Sequence, residues 1–134
     1  MSAGEVVVMD ASVGVKWFLT EAGSDRAYEL LDRCADGEIE IVVPVHFAHE
    51  VLSVVRRDLG PGEVVAAWEQ MKDAGVRVVP LTDEVVAEAA RQCESLGCAF
   101  YDALAPAVAQ LLGATLVTAD ARAHRSVSGA DVIG

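Results

Sequence analysis

The sequence predicts an α/β fold built on a central parallel sheet. Short apolar runs rich in Val and Ile, at residues 5–9, 39–43, 76–79 and 115–117, alternate with longer segments of helical periodicity. Strands that alternate with helices pair in parallel through right-handed crossovers. The chain is also 53% hydrophobic, as expected when strands are covered on both faces. No repeat, linker or low-complexity stretch divides the 134 residues, so one domain over 1–134 is expected.

The elements are justified in order. Residues 5–9 form a first apolar strand, and 11–19 and 24–34 read as helices. The second of these has Ala27, Leu30, Leu31 and Cys34 at helical spacing. Gly37 marks a turn before the strand at 39–43. Pro44 suits the first position of the next helix, where its missing N–H costs nothing. That helix runs to about residue 58, where Gly60-Pro61-Gly62 breaks the chain. A helix over 63–74 ends at Gly75, and 76–79 is the third strand. Thr82 caps a helix that has Asp83 and Glu84 in its first turn and stops at Gly97. Residues 100–112 form another helix, stopped by Gly113, and 115–117 the fourth strand. A short helix over 121–127 and an edge strand over 131–133 complete the pattern. Pro106 requires its helix to begin near Asp102 or to kink.

Net charge is −11, which argues against generic nucleic-acid binding through Lys and Arg and favours a basic protein partner. Cys34, Cys93 and Cys98 contain no C-x-x-C pair and read as reduced thiols. No apolar run reaches the length of a membrane span, and residues 1–5 lack the features of a signal peptide. A cytoplasmic location is expected.

Four acids stand where a strand ends or a helix begins: Asp10 after 6–9, Glu50 in the helix after Pro44, Asp102 before Ala103-Leu104-Ala105, and Asp120 after 115–119. In an open parallel sheet the carboxyl ends of the strands share one edge, where ligands bind. Two carboxylates about 5 Å apart repel by roughly 3 kcal/mol at an effective dielectric near 20. Such a cluster persists by binding cations, by holding protons or by keeping its members apart. Hard oxygen donors favour Mg²⁺ or Mn²⁺, and the matching chemistry is metal-assisted phosphodiester hydrolysis. Each acid also has a plainer reading: Asp10 and Asp120 as helix caps, Asp102 as a first-turn acid, Glu50 on a solvated face.

The segments Val8-Met9-Asp10-Ala11-Ser12, Glu50-Val51-Leu52 within 44–57, Tyr101-Asp102-Ala103-Leu104-Ala105 and Leu116-Val117-Thr118-Ala119-Asp120 resemble the PIN domain family, and in particular its VapC-type toxins. The resemblance extends from Val6 to Ile133. It implies a PIN-like fold, a three-layer α/β/α sandwich around the parallel sheet, with Asp10, Glu50, Asp102 and Asp120 as catalytic and metal-binding acids. It further implies Mg²⁺ (or Mn²⁺) as cofactor, an RNA substrate cut by an endoribonuclease, a homodimer and a cognate antitoxin. Ser12 and Thr118 match supporting hydroxyl positions that orient a carboxylate or water, with local backbone capping as the plainer role. The chain departs from the family in having Ser53 where an Asn is frequent, and Ala121-Arg122-Ala123-His124 where many members carry a further acid. Pro106 replaces a usual aromatic or aliphatic residue.

Arg122, Arg125 and Lys16 are the candidate contacts to the RNA backbone, with Arg56 and Arg57 as further basic residues near motif ends. Trp17 reads as core, as a residue that stacks on a base or as part of a dimer seam. His46 and His49 share a helix with Glu50, but H-x-x-H-E is not a zincin motif. Two other readings remain: a PIN-like module that binds without catalysis, and a phosphotransfer domain. The second lacks D-x-D after the first strand and a late lysine, since the only lysines are Lys16 and Lys72.

Overall fold

The computed structural model describes residues 4–120 and 129–134. Five parallel strands, β1 (Glu5–Met9), β2 (Ile39–Pro44), β3 (Arg77–Val79), β4 (Thr115–Thr118) and β5 (Asp131–Val132), form one sheet in the order β3-β2-β1-β4-β5. β1 is central, and Val7, Val8 and Met9 are fully buried. Successive side chains on a strand point to opposite faces. One apolar layer therefore collects Val7, Met9, Ile41, Val43 and Val117, and the other collects Val8, Val42 and Leu116.

Helices cover both faces. α1 (Ala11–Gly14), α2 (Ser24–Ala35), α3 (Val45–Leu59) and α4 (Val64–Asp73) supply Val13, Leu30, Phe47 and Met71 to the first layer. α5 (Asp83–Leu96) and α6 (Phe100–Leu112) supply Val85, Ala89 and the run from Ala103 to Ala109 to the second. This is the expected three-layer sandwich. Thr82 caps α5 by accepting from the Val85 N–H at 3.2 Å. Gly97 and Gly113, at φ +69° and +62°, end α5 and α6 in the left-handed conformation that glycine adopts without penalty.

The helix expected over 11–19 is shorter. α1 spans one turn, continues as a 3₁₀ turn over Val15–Trp17 and then stops. The Ser24 hydroxyl holds the following loop, donating to the Leu19 carbonyl at 3.1 Å and accepting from the Glu21 N–H at 3.0 Å. α6 begins at Phe100, so Asp102 lies in its first turn and Pro106 in its second. Proline lacks the N–H that would bond the Asp102 carbonyl. Burial of every residue from Ala103 to Ala109 keeps the helix continuous. The helix expected over 121–127 lies outside the described residues.

Trp17 is core: it is 3% exposed, donates from Nε1 to the Ala27 carbonyl at 2.9 Å and meets the Phe47 ring edge-on at 5.8 Å. Cys34 is buried, Cys93 and Cys98 are half-buried, and all three are free thiols. Among the described residues no single helix is long and apolar enough to cross a membrane.

Gly14 sets the distance between α1 and α3. A Cβ there would lie 2.4 Å from the Phe47 ring and 2.8 Å from a Val51 methyl, and both side chains are fully buried. Gly14→Ala should therefore destabilise the protein by about 1–3 kcal/mol through overpacking. Urea unfolding measures this, and stability equal to that of the parent would show that the two helices can part freely.

Candidate active site

The β1 strand delivers Asp10 to the carboxyl edge of the sheet. Its N–H still donates to the Val117 carbonyl at 3.1 Å, and its side chain then caps α1. Asp10 Oδ2 accepts from the Ser12 N–H at 3.3 Å, from Ser12 Oγ at 2.6 Å and from Thr118 Oγ1 at 3.4 Å. Ser12 Oγ accepts in turn from the Ala119 N–H at 3.0 Å, and Thr118 Oγ1 from the Asp120 N–H at 3.0 Å. The two hydroxyls stand 3.5 Å apart. Thus Asp10 is both helix cap and cleft wall. Ser12 and Thr118 join the start of α1 to the end of β4 and fix the carboxylate in place.

The four acids come together. Asp10, Glu50, Asp102 and Asp120 line one cleft of about 220 Å³, together with Ser12, His46 and Tyr101. Asp102 arrives from the first turn of α6 and Asp120 from the end of β4, while Glu50 projects from α3. The Glu50 side chain is 53% exposed, and its pKa is raised, first by partial burial and then by the charges of Asp10 and Asp102. The charges of Asp10 and Asp102 thus reach Glu50 across the cleft. His46 lies one turn before Glu50, with Nε2 4.0 Å from Glu50 Oε1. Burial holds its pKa low, while Asp10 and Asp102 push it up and His49 pushes it down.

Among the described residues, no three His, Cys, Asp or Glu side chains converge tightly enough to hold one ion together. Mg²⁺ does not require this, because it usually keeps several waters and takes one or two carboxylates. The acidic donor set of the cleft, Asp10, Glu50, Asp102 and Asp120, offers only hard carboxylate oxygens. Such oxygens are the donor chemistry that a hard divalent cation takes.

Several basic candidates lie elsewhere. Lys16 does not reach the cleft: it is 6% exposed, with Nζ bonded to the Ala22 carbonyl and 3.2 Å from Glu21. The 3₁₀ turn that follows α1 rotates it into the protein. Arg57 pairs with Asp58 at 2.9 Å, and neither it nor Arg56 lines the cleft. Arg122 and Arg125 lie outside the described residues. His49 faces an apolar groove, so His46 and His49 form no metal pair.

Sequence reasoning missed His46 and Tyr101 as cleft residues. The signal for His46 was its spacing of four from Glu50, which puts both on one helix face. The signal for Tyr101 was its place next to Asp102 at the start of an apolar helix.

A parallel α/β/α sandwich with carboxylates gathered at the carboxyl edge of its sheet defines the class of this protein. A family model described as PIN domain matches residues 7–129, and the chain belongs to that family. Among solved structures, VapC20 of Mycobacterium tuberculosis, described as a sarcin-ricin loop cleaving toxin, superposes with a TM-score of 0.73 at 19% identity, covering 96% of this chain and 99% of that one. A toxin–antitoxin complex from Klebsiella pneumoniae gives 0.72 at 13% identity, covering 92% and 94%. A DNA-bound VapBC from Salmonella typhimurium gives 0.72 at 14% identity, covering 96% of each chain. These likenesses are of fold. No curated protein matches the chain in sequence.

The raised pKa of Glu50 predicts a pH dependence. A carboxyl group with a raised folded pKa holds its proton more tightly in the native than in the unfolded chain. Native stability then falls as pH rises from the ordinary carboxylate range through the raised value. With divalent ions chelated, urea unfolding of the protein should show this decline, and Glu50→Gln should lessen it. Identical profiles for the two proteins would mean that the environment of Glu50, its partial burial and the neighbouring Asp10 and Asp102, does not raise its pKa.

Proposed function

We propose that this protein is a divalent-cation-dependent endoribonuclease of the VapC toxin type, kept inactive by a cognate antitoxin. The observation that carries this reading is the meeting of Asp10, Glu50, Asp102 and Asp120 on one cleft of a PIN domain. The fold shared with a toxin described as cleaving the sarcin-ricin loop supports RNA as the substrate class. An RNA substrate accords with a cytoplasmic site of action.

In this reading Asp10, Asp102 and Asp120 hold Mg²⁺ or Mn²⁺, and Glu50 does so directly or through water. The bound cation supplies Lewis-acid polarisation of the phosphate and lowers the pKa of water. Ser12 and Thr118 hold Asp10 in one orientation, so that its oxygens need not reorganise during reaction. Arg122 and Arg125 are the proposed contacts to the RNA backbone, being two and five residues beyond Asp120 in sequence.

The antitoxin reading draws support from an apolar groove of about 360 Å³ between α3 and α4, bordered by Val45, Leu52, Val64, Val65 and Trp68. Apolar anchors of a basic peptide would fill it, and a cationic side chain would reach the neighbouring acids. The fold shared with VapBC and other toxin–antitoxin complexes supports the same partner class. Pairing of two copies as a homodimer is part of the proposal and rests on the family resemblance.

One observation favours a second reading, a PIN-like module that binds without catalysis: no Lys or Arg lines the cleft among the described residues. Cleavage assays separate the two. Asp10→Asn and Asp102→Asn should each lower Mg²⁺-dependent RNA cleavage by about 100-fold or more while the fold is retained. Undiminished cleavage by both variants, with contaminating nucleases excluded, would refute the assignment. No cleavage by the parent protein, purified free of antitoxin, would favour the binding module.

A further inference from the structure

The cleft has an aromatic side chain that its acids do not explain. Tyr101 is the second residue of α6, next to Asp102, and is 66% exposed on the cleft wall. A tyrosine packed for stability would be turned inward, as Phe47 and Trp17 are. The Tyr101 ring instead leans on the His46 ring, with centroids 5.7 Å apart and planes tilted by 45°. His46 is 7% exposed and so gives the tyrosine a rigid back wall. The result is an aromatic surface held at the mouth of the acidic cleft, with part of its area open to solvent.

A nucleic acid meets an unusual environment there. Single-strand-binding grooves combine cationic side chains that track the backbone with aromatic rings on which bases stack. Among the described residues the cleft wall has the second component and lacks the first. With a net charge of −11 on the chain and no Lys or Arg on the described cleft wall, contacts beyond phosphate pairing gain weight in orienting a nucleotide beside Asp102. A base stacked on Tyr101 provides such a contact, and stacking is indifferent to charge.

We propose that Tyr101, backed by His46, is the stacking platform for a nucleobase beside the scissile phosphate, and that it selects single-stranded RNA. Only an unpaired base has a face free to lie on the ring, so a duplex is disfavoured. The inference rests on the nuclease reading for its substrate class. Tyr101 is a binding and specificity residue that anchors the chain next to the reacting group. His46 is a positioning residue that acts through Tyr101.

The test uses a short single-stranded oligoribonucleotide pool of randomised sequence carrying 2-aminopurine. Fluorescence quenching reads stacking and binding, and Mg²⁺-dependent cleavage gives KM and kcat. Tyr101→Ala should abolish the quench, weaken binding about tenfold and raise KM rather than lower kcat. Tyr101→Phe should restore the quench and the affinity, because the ring is retained. Thermal melting checks the fold, and the exposure of Tyr101 makes it tolerant of truncation. A fully paired duplex of the same length should bind the parent protein about tenfold more weakly than the single strand.

Quenching by the parent without cleavage would leave the platform standing while the nuclease reading falls. Equal binding by the parent and Tyr101→Ala would overturn the platform while leaving the nuclease reading intact. Absence of any quench by the parent, or monomers appearing only in Tyr101→Ala, would also overturn it. The latter result would assign the ring to contact with a second copy.

Discussion

Like charges confined to one edge of a parallel sheet are the constraint around which this protein is built. Asp10, Glu50, Asp102 and Asp120 come from four separate stretches of chain, and each is delivered to the same cleft by an element whose other face is buried. Folding must hold them against their mutual repulsion. In the proposed function, a bound cation offsets that repulsion. The apolar layers are thus the source of the rigidity the site requires. Val7, Val8 and Met9 fix the end of β1, and the run from Ala103 to Ala109 fixes the start of α6.

The hydroxyl network does a second job. Ser12 and Thr118 link the turn after β1 to the end of β4, so that Asp10 and the approach to Asp120 move as a unit. A carboxylate held by several donors is oriented before any ion or substrate arrives. On the same side of the sheet, α1 and α3 approach closely at Gly14, where a Cβ would meet Phe47 and Val51.

Much of this was legible in the sequence, because each strand is a short apolar run and most helices carry a cap or a glycine stop. The parallel pairing of the strands follows from the alternation of elements, and the positions of Asp10 and Asp120 follow from the ends of β1 and β4. What was not legible depended on local geometry. A helix pattern over 11–19 gave no sign that α1 yields to a 3₁₀ turn after Gly14, and that change buries Lys16 against Glu21 and Ala22. Trp17 could be read as core or surface until the Ala27 carbonyl supplied its partner. The spacing of His46 and His49 drew notice as a possible ligand pair, whereas the pair that shares a face is His46 with Glu50. Tyr101 was visible only as part of a motif, since its exposure on the cleft wall depends on how the chain packs around it.

The central claim is that four carboxylates form a cation site, and direct measurement of Mn²⁺ uptake tests it without reference to any substrate. Isothermal titration of the parent protein should show saturable Mn²⁺ binding that Mg²⁺ displaces, and the doubly substituted Asp10→Asn, Asp102→Asn protein should lose it. Absence of uptake by the parent, or equal uptake by both proteins, would contradict the account.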